Sequence, residues 1–164
     1  VKPSSRPGAR RDGSSQPPTL ERPTALPEAI HHHTGVLLLK IANFVRDELD
    51  LALQPHGLRV NHYNVLSVLH YKGTMSQQGV GTKLRIDRAT MVAIVDDLER
   101  QGLLERRRNA TDRRVYDLTV TDAGRKAVKD AERALKALEA RVFEPLGADG
   151  RTQLHALLEQ LTQP

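Results

Sequence analysis

Five of the nine residues from Arg106 to Arg114 are arginine, and a single carboxylate, Asp112, stands among them. A guanidinium keeps its charge at any ordinary pH, so this cluster is unsuited to moving protons. It is suited to gripping anionic oxygens through planar, paired hydrogen bonds. Asp112 can hold one neighbouring guanidinium, Arg113 or Arg114, in a bidentate fork, fixing its direction and leaving the other charges for a polyanion. Upstream, Arg88 can donate two parallel hydrogen bonds to a planar acceptor edge. Thr90 can reach a similar acceptor, while Ala89, Val92 and Ala93 offer only apolar contact. No Ser/His/Asp grouping, phosphate loop or HExxH motif occurs, so an enzyme is not expected. The chain has no cysteine, which excludes disulfides, thiolate metal sites and thiol switches.

The distribution of charge is more informative than its sum. Residues 1–27 hold five basic and two acidic groups, and residues 106–114 hold five and one, within a total of +5. The excess therefore sits in a tail and one loop on a nearly neutral body, as expected for a polyanion ligand. No apolar run of about 18 residues occurs, so no membrane partner is expected. The start lacks the apolar stretch of a signal peptide, and the chain is read as cytoplasmic.

Helices and one hairpin must position these groups. Residues 1–27, rich in Pro, Ser, Gly and Arg, read as a disordered basic tail. From Glu28, apolar residues recur at spacings of three and four through Leu53, and Pro55-His56-Gly57 ends that helix. Asn61 can cap a second helix that stops near Gly73, and Ser76 a short third one reaching Leu84. Asp87 can cap a fourth, with Met91, Ile94, Val95 and Leu98 on its inner face and Gly102 beyond its end. The period then changes. Leu103–Arg106 and Val115–Val120 read as strands around the arginine-rich turn. Thr121 can cap a long helix reaching Leu146, and a last helix carries Leu154, Leu157, Leu158 and Leu161.

The fold class expected is mainly α with a small β-hairpin wing: a winged helix-turn-helix lobe plus a helical lobe. The fourth helix can enter a major groove about 12 Å wide, with Arg88 on a guanine edge and the apolar positions on thymine methyls. The wing would bring Arg106, Arg108, Arg113 and Arg114 to phosphates or a narrow minor groove, with Asp112 as the aiming carboxylate. Alternation along the strand keeps Arg106, Arg107 and Arg108 from all pointing the same way.

The stretch from Asp87 to Gly124, DRATMVAIVDDLERQGLLERRRNATDRRVYDLTVTDAG, resembles the MarR family of bacterial transcription regulators. It matches that family's recognition helix and its D-x-R wing motif, with Asp112, Arg114, Leu118, Val120 and Thr121 at the motif positions. A looser resemblance covers about residues 30–162. It implies a dimer built from the first and last helices, and regulation by a small molecule bound between the lobes. Arg85 stands where a glycine is common, which predicts a turn of another shape, because a side chain in the left-handed region costs about 1 kcal/mol. Gly79 and Gly81 replace better helix formers in the third helix, which predicts a more mobile element.

The resemblance places Asn43, Arg59, His62 and Tyr63 near the family's effector pocket. His62 or Arg59 could pair with a carboxylate, and Tyr63 could stack on an aromatic ring, so a small aromatic acid is the effector class expected. No cofactor is required. Zinc ranks lower: His31-His32-His33 point about 100° apart on a helix, so His31 and His33 would need help from His62 or carboxylates. The expected division is a tail over 1–27 and one domain over 28–164. Within that domain, residues 28–56 and 121–162 would dimerise and 61–120 would form the DNA-binding lobe. The function expected is a ligand-responsive repressor, acting as a homodimer on an inverted-repeat operator in double-stranded DNA. The alternatives are a structural nucleoid-type DNA binder without effector and a zinc-responsive regulator of the same fold.

Overall fold

The structure, a computed structural model, describes residues 20–109, 111–112 and 114–162. Seven helices and a three-stranded sheet follow one another as α1 (Glu28–His31), α2 (Thr34–Leu53), α3 (Val60–Lys72), β1 (Met75–Ser76), α4 (Gln77–Leu84), α5 (Arg88–Arg100), β2 (Leu104–Arg108), β3 (Tyr116–Val120), α6 (Asp122–Val142) and α7 (Gly147–Thr162). Among the described residues, no helix is long and apolar enough to cross a membrane. One helix expected from Glu28 is two, because the backbone turns extended at His33 before α2 begins. The long helix stops at Val142 and gives way to a 3-10 turn over Glu144–Leu146, since Pro145 cannot continue an α-helical hydrogen-bond pattern.

The hairpin pairs β2 with β3 antiparallel, from Leu104 opposite Val120 to Arg108 opposite Tyr116. A third strand, β1, pairs Met75 with Leu118 and Ser76 with Asp117, giving the order β1-β3-β2. Two residues are too short to show an alternating pattern, and β1 was invisible to sequence periodicity for that reason. The core lies where α3, α4, α5 and the sheet converge on the start of α6. Leu66, Leu69, Val80, Val95, Leu98, Leu104, Leu118 and Val128 are fully buried there.

Local chemistry explains the starts of α4, α5 and α6. Ser76 Oγ accepts the Gly79 N–H at 3.0 Å, Asp87 Oδ1 accepts the Thr90 N–H at 2.9 Å, and Thr121 Oγ1 accepts the Gly124 N–H at 3.0 Å. Asn61, expected as the cap of α3, lies inside that helix instead. The start at Val60 is capped from elsewhere: Asp50 Oδ1 on α2 accepts the Val60 N–H at 2.7 Å, and the His62 ring accepts the Arg59 N–H.

Arg85 also departs from expectation. The turn after α4 keeps its left-handed residue, with Arg85 itself at φ 53°. The Ile86 N–H bonds to the Gly81 carbonyl and the Arg85 N–H to the Thr82 carbonyl, the pair of bonds that closes a Schellman ending. Those bonds hold a conformation that the side chain disfavours. Gly81 fits closely under the same closure: a Cβ there would meet the Ile86 carbonyl at 3.3 Å, with Met91 behind it.

Residues 1–19 of the expected tail lie outside the described residues. In the described part, Arg22 donates to the Val142 carbonyl at 3.1 Å and the Arg141 carbonyl at 3.2 Å. Lys40 donates to the Thr24 carbonyl. A guanidinium at the open carbonyls of a helix C-terminus is favoured both by hydrogen bonding and by the helix dipole.

Candidate nucleic-acid interface

The helix α5 buries Met91, Ile94, Val95 and Leu98, and this fixes the face it turns outward. Arg88, Ala89, Thr90, Val92 and Ala93 are all exposed, as their positions between the apolar residues require. Thr90 is partly committed: its hydroxyl donates to Asp87 Oδ2 at 2.6 Å, and these bonds hold the Asp87 carboxyl below its ordinary pKa. The surface left for a partner is one guanidinium at the N-terminal turn followed by a small apolar patch.

The hairpin tip is organised by Asn109, whose role the sequence reading missed. Its Oδ1 accepts the backbone N–H groups of Thr111 and Asp112 at 2.9 Å each, and its Nδ2 donates to Asp117 Oδ2 at 2.8 Å. The signal was present, since asparagine favours such local turns. Beside it, the expected fork exists between Asp112 and Arg114. Arg114 Nε donates to Oδ1 at 3.1 Å, Nη2 donates to Oδ2 at 3.3 Å, and the Arg114 N–H also reaches Oδ1. These bonds lower the Asp112 pKa. The Arg114 side chain remains 90% exposed, held in direction yet open on its outer side. Arg113 lies outside the described residues.

The strand arginines divide as alternation requires. Arg107 pairs with Glu105 at 2.7 Å on one face. Arg106 and Arg108 share the other face with Tyr116, their guanidinium carbons 5.4 and 5.1 Å from its ring centroid. Arg106, expected at DNA, is placed against α5: its Nη2 meets Asp96 at 2.5 Å and Glu99 at 3.0 Å. Burial opposes its charge, but the bonds to those two carboxylates outweigh burial and raise its pKa. Asp96 and Glu99, three apart on one helix face, had carried no expectation.

The four effector candidates do not gather at one place. Tyr63 lines a cavity of about 330 Å³ between α2, α3 and α6, together with Leu49, Leu53, Asn64, Glu132 and Lys136. At its edge, Tyr71 donates to Glu132 at 2.5 Å and its own pKa rises in consequence. Arg59 and His62 line a separate cleft of about 610 Å³ with Asp50 and Asp97. Asn43 lines neither. His62 is buried and bridges two helices. Because its Nδ1 accepts the Arg59 N–H, its proton sits on Nε2, facing Asp97 Oδ2 at 3.4 Å. Among the described residues, no three His, Asp or Glu side chains come together as metal ligands, so His31, His33 and His62 form no joint site.

Comparisons with known proteins point to one family. The MarR family profile matches residues 56–115. The regulator MhqR of Bacillus subtilis is 30% identical over 89 residues, 54% of this chain and 61% of that protein, so the chain spans about three fifths of its length. The repressor CouR bound to a 23-mer DNA duplex is 30% identical, with a TM-score of 0.75 over 80% of this chain and 93% of that one. CouR of Rhodococcus jostii RHA1 bound to p-coumaroyl-CoA superposes with a TM-score of 0.71 over 84% and 97%. A MarR-family regulator from Rhodococcus sp. RHA1 is 31% identical, with a TM-score of 0.74 over 82% of this chain and 96% of that one. At that identity and coverage, the chain belongs to the MarR family.

Proposed function

We propose that this protein is a sequence-specific DNA-binding transcriptional regulator: a ligand-responsive repressor acting as a homodimer on an inverted-repeat operator. The observation that carries the reading is the pairing of an outward-facing α5, bearing Arg88, Ala89, Val92 and Ala93, with a wing whose Asp112–Arg114 fork holds a guanidinium in an exposed position. Arg88 and the apolar patch suit base edges, while Arg108, Arg113 and Arg114 suit phosphates and the minor groove. The DNA-bound CouR supports the same use of this fold.

Dimerisation through residues 28–56 and 121–162 is supported by apolar side chains that this chain alone leaves exposed. Leu37 and Leu38 on α2 are 47% and 42% exposed, and Leu157 and Leu161 on α7 are 58% and 75% exposed. The cavity under Tyr63 is the favoured effector site. Its leucine wall and tyrosine ring suit an aromatic body, and Lys136 can pair with a carboxylate. A small aromatic acid fits this better than zinc. The reading implies work in the cytoplasm and no catalysis.

The test is selection of duplexes from a random-sequence pool, followed by footprinting and sedimentation. We expect two half-sites centred about 10 base pairs apart, bound by a dimer. Retention of duplex regardless of sequence would make the protein a structural nucleoid-type DNA binder instead. A species of only 18.3 kDa in sedimentation would overturn the dimer.

A further inference from the structure

Glu99 receives two different donors from the same residue. Arg106 Nη2 reaches its Oε2 at 3.0 Å, and the Arg106 backbone N–H reaches its Oε1 at 3.3 Å. The strand β2 lies at the edge of the sheet, and an edge strand leaves outward N–H groups without a ladder partner. Here a carboxylate of α5 takes one of them. Asp96, one turn earlier on the same helix, takes the guanidinium a second time at 2.5 Å. The Arg106 side chain is 22% exposed, against 78% for Arg107 and 90% for Arg114, so it is withdrawn relative to these two. Its other face carries the Tyr116 ring, which also sits against Arg108.

We infer that Arg106 is a positioning residue rather than a DNA contact: with Asp96 and Glu99 it clamps the wing to the recognition helix, setting the distance and angle between major-groove and wing contacts. The inference rests on the DNA-binding reading above. Three hydrogen bonds and a ring contact tie β2 to α5 and β3 at this point. The base of the wing then moves with α5, so the two reading elements reach DNA as one body. That arrangement favours duplexes whose groove spacing matches the fixed geometry, and it adds specificity without adding a contact.

Clamp and contact predict opposite signs. Neutralising an acidic side chain near a DNA surface strengthens binding by simple electrostatics, and Ala is the best helix former, so Glu99→Ala leaves α5 intact. If Arg106 is a clamp, Glu99→Ala instead weakens binding to the selected duplex by about tenfold, the effect of losing about 1.4 kcal/mol of positioning, while binding to a scrambled duplex holds or rises. Arg106→Ala should do the same, with log K against log salt parallel to the wild type. If Arg106 touches phosphate, its removal flattens that slope by about 0.9 per contact, or about 1.8 per dimer, and weakens both duplexes. Amide exchange at Arg106 in the free protein gives a readout without DNA: Glu99→Ala should speed exchange there while α5 core amides keep their protection. A flattened slope for Arg106→Ala, or tighter selected-duplex binding by Glu99→Ala, overturns the clamp and leaves the regulator reading standing. Failure of the wild type to select any duplex overturns that reading, and the clamp with it.

Discussion

His62 Nε2 lies 3.4 Å from Asp97 Oδ2, joining the first turn of α3 to the C-terminal half of α5 through a buried imidazole. Burial lowers the His62 pKa. Asp97 opposes this, Arg59 adds to it, and Asp50 opposes it again. The unfolded chain takes up this proton near pH 6.5, while the folded chain resists it to lower pH. Stability from this group is therefore complete above about pH 6.5 and is lost as pH falls toward the folded pKa, by at most about 1.4 kcal/mol per pH unit. Urea midpoints should fall between pH 7.5 and 5.5, and His62→Gln should flatten that dependence. An identical pH profile in the variant would remove His62 as the cause.

Gly124 lies in the first turn of α6, where a Cβ would run into the Leu103 carbonyl and approach Val120 Cγ2 at 2.7 Å. Backbone on one side and a core side chain on the other leave no room to yield. Gly124→Ala is expected to destabilise by about 3 kcal/mol despite the better helix propensity of alanine. Thermal unfolding measures it; an unchanged or raised Tm would show that the α6 start can slide away from the sheet.

Arg85 adopts φ 53°, a left-handed conformation that its side chain disfavours. Arg85→Gly should stabilise the fold by up to about 1 kcal/mol, less the extra freedom glycine gives the unfolded chain. A rise in the urea midpoint checks this. A fall would mean that the arginine side chain contributes contacts worth more than the strain.

The Asp112–Arg114 fork separates aim from charge. Arg114→Ala should weaken binding to all duplexes and flatten the salt slope by about 1.8 per dimer if each copy touches one phosphate. Asp112→Ala raises the net positive charge yet releases the guanidinium. Binding to the selected duplex should fall while binding to a scrambled duplex holds or rises. Parallel gains on both duplexes in a salt titration would leave Asp112 without a directing role.

What could be read from sequence divides along physical lines. Ser76, Asp87 and Thr121 were legible as caps because each acts on a backbone N–H three residues away. The inner face of α5 was legible because Met91, Ile94, Val95 and Leu98 repeat at helical spacing. The Asp112–Arg114 fork spans only two residues. Contacts made across the fold were not legible. The Asp50 cap on Val60, the carboxylates around Arg106 and the pairing of β1 with β3 join positions that nothing local connects. Tyr63 and His62 are adjacent in sequence, yet they face different cavities because successive helical residues point about 100° apart.

Between the last residue of β3, Val120, and the first of α6, Asp122, lies Thr121 alone. Its hydroxyl is used twice, accepting from Gly124 N–H and donating to the Gly102 carbonyl at the end of α5. The hairpin, α5 and the 21-residue α6 thus share one pinned joint with no slack residue. A helix of that length is a rigid arm of about 31 Å. Swinging it by about 10° about the Thr121 pin carries the far end through about 5 Å, roughly one helical turn. A push on the arm near Glu132 or Lys136, which line the cavity under Tyr63, would thus be felt at α5 and the hairpin through that joint.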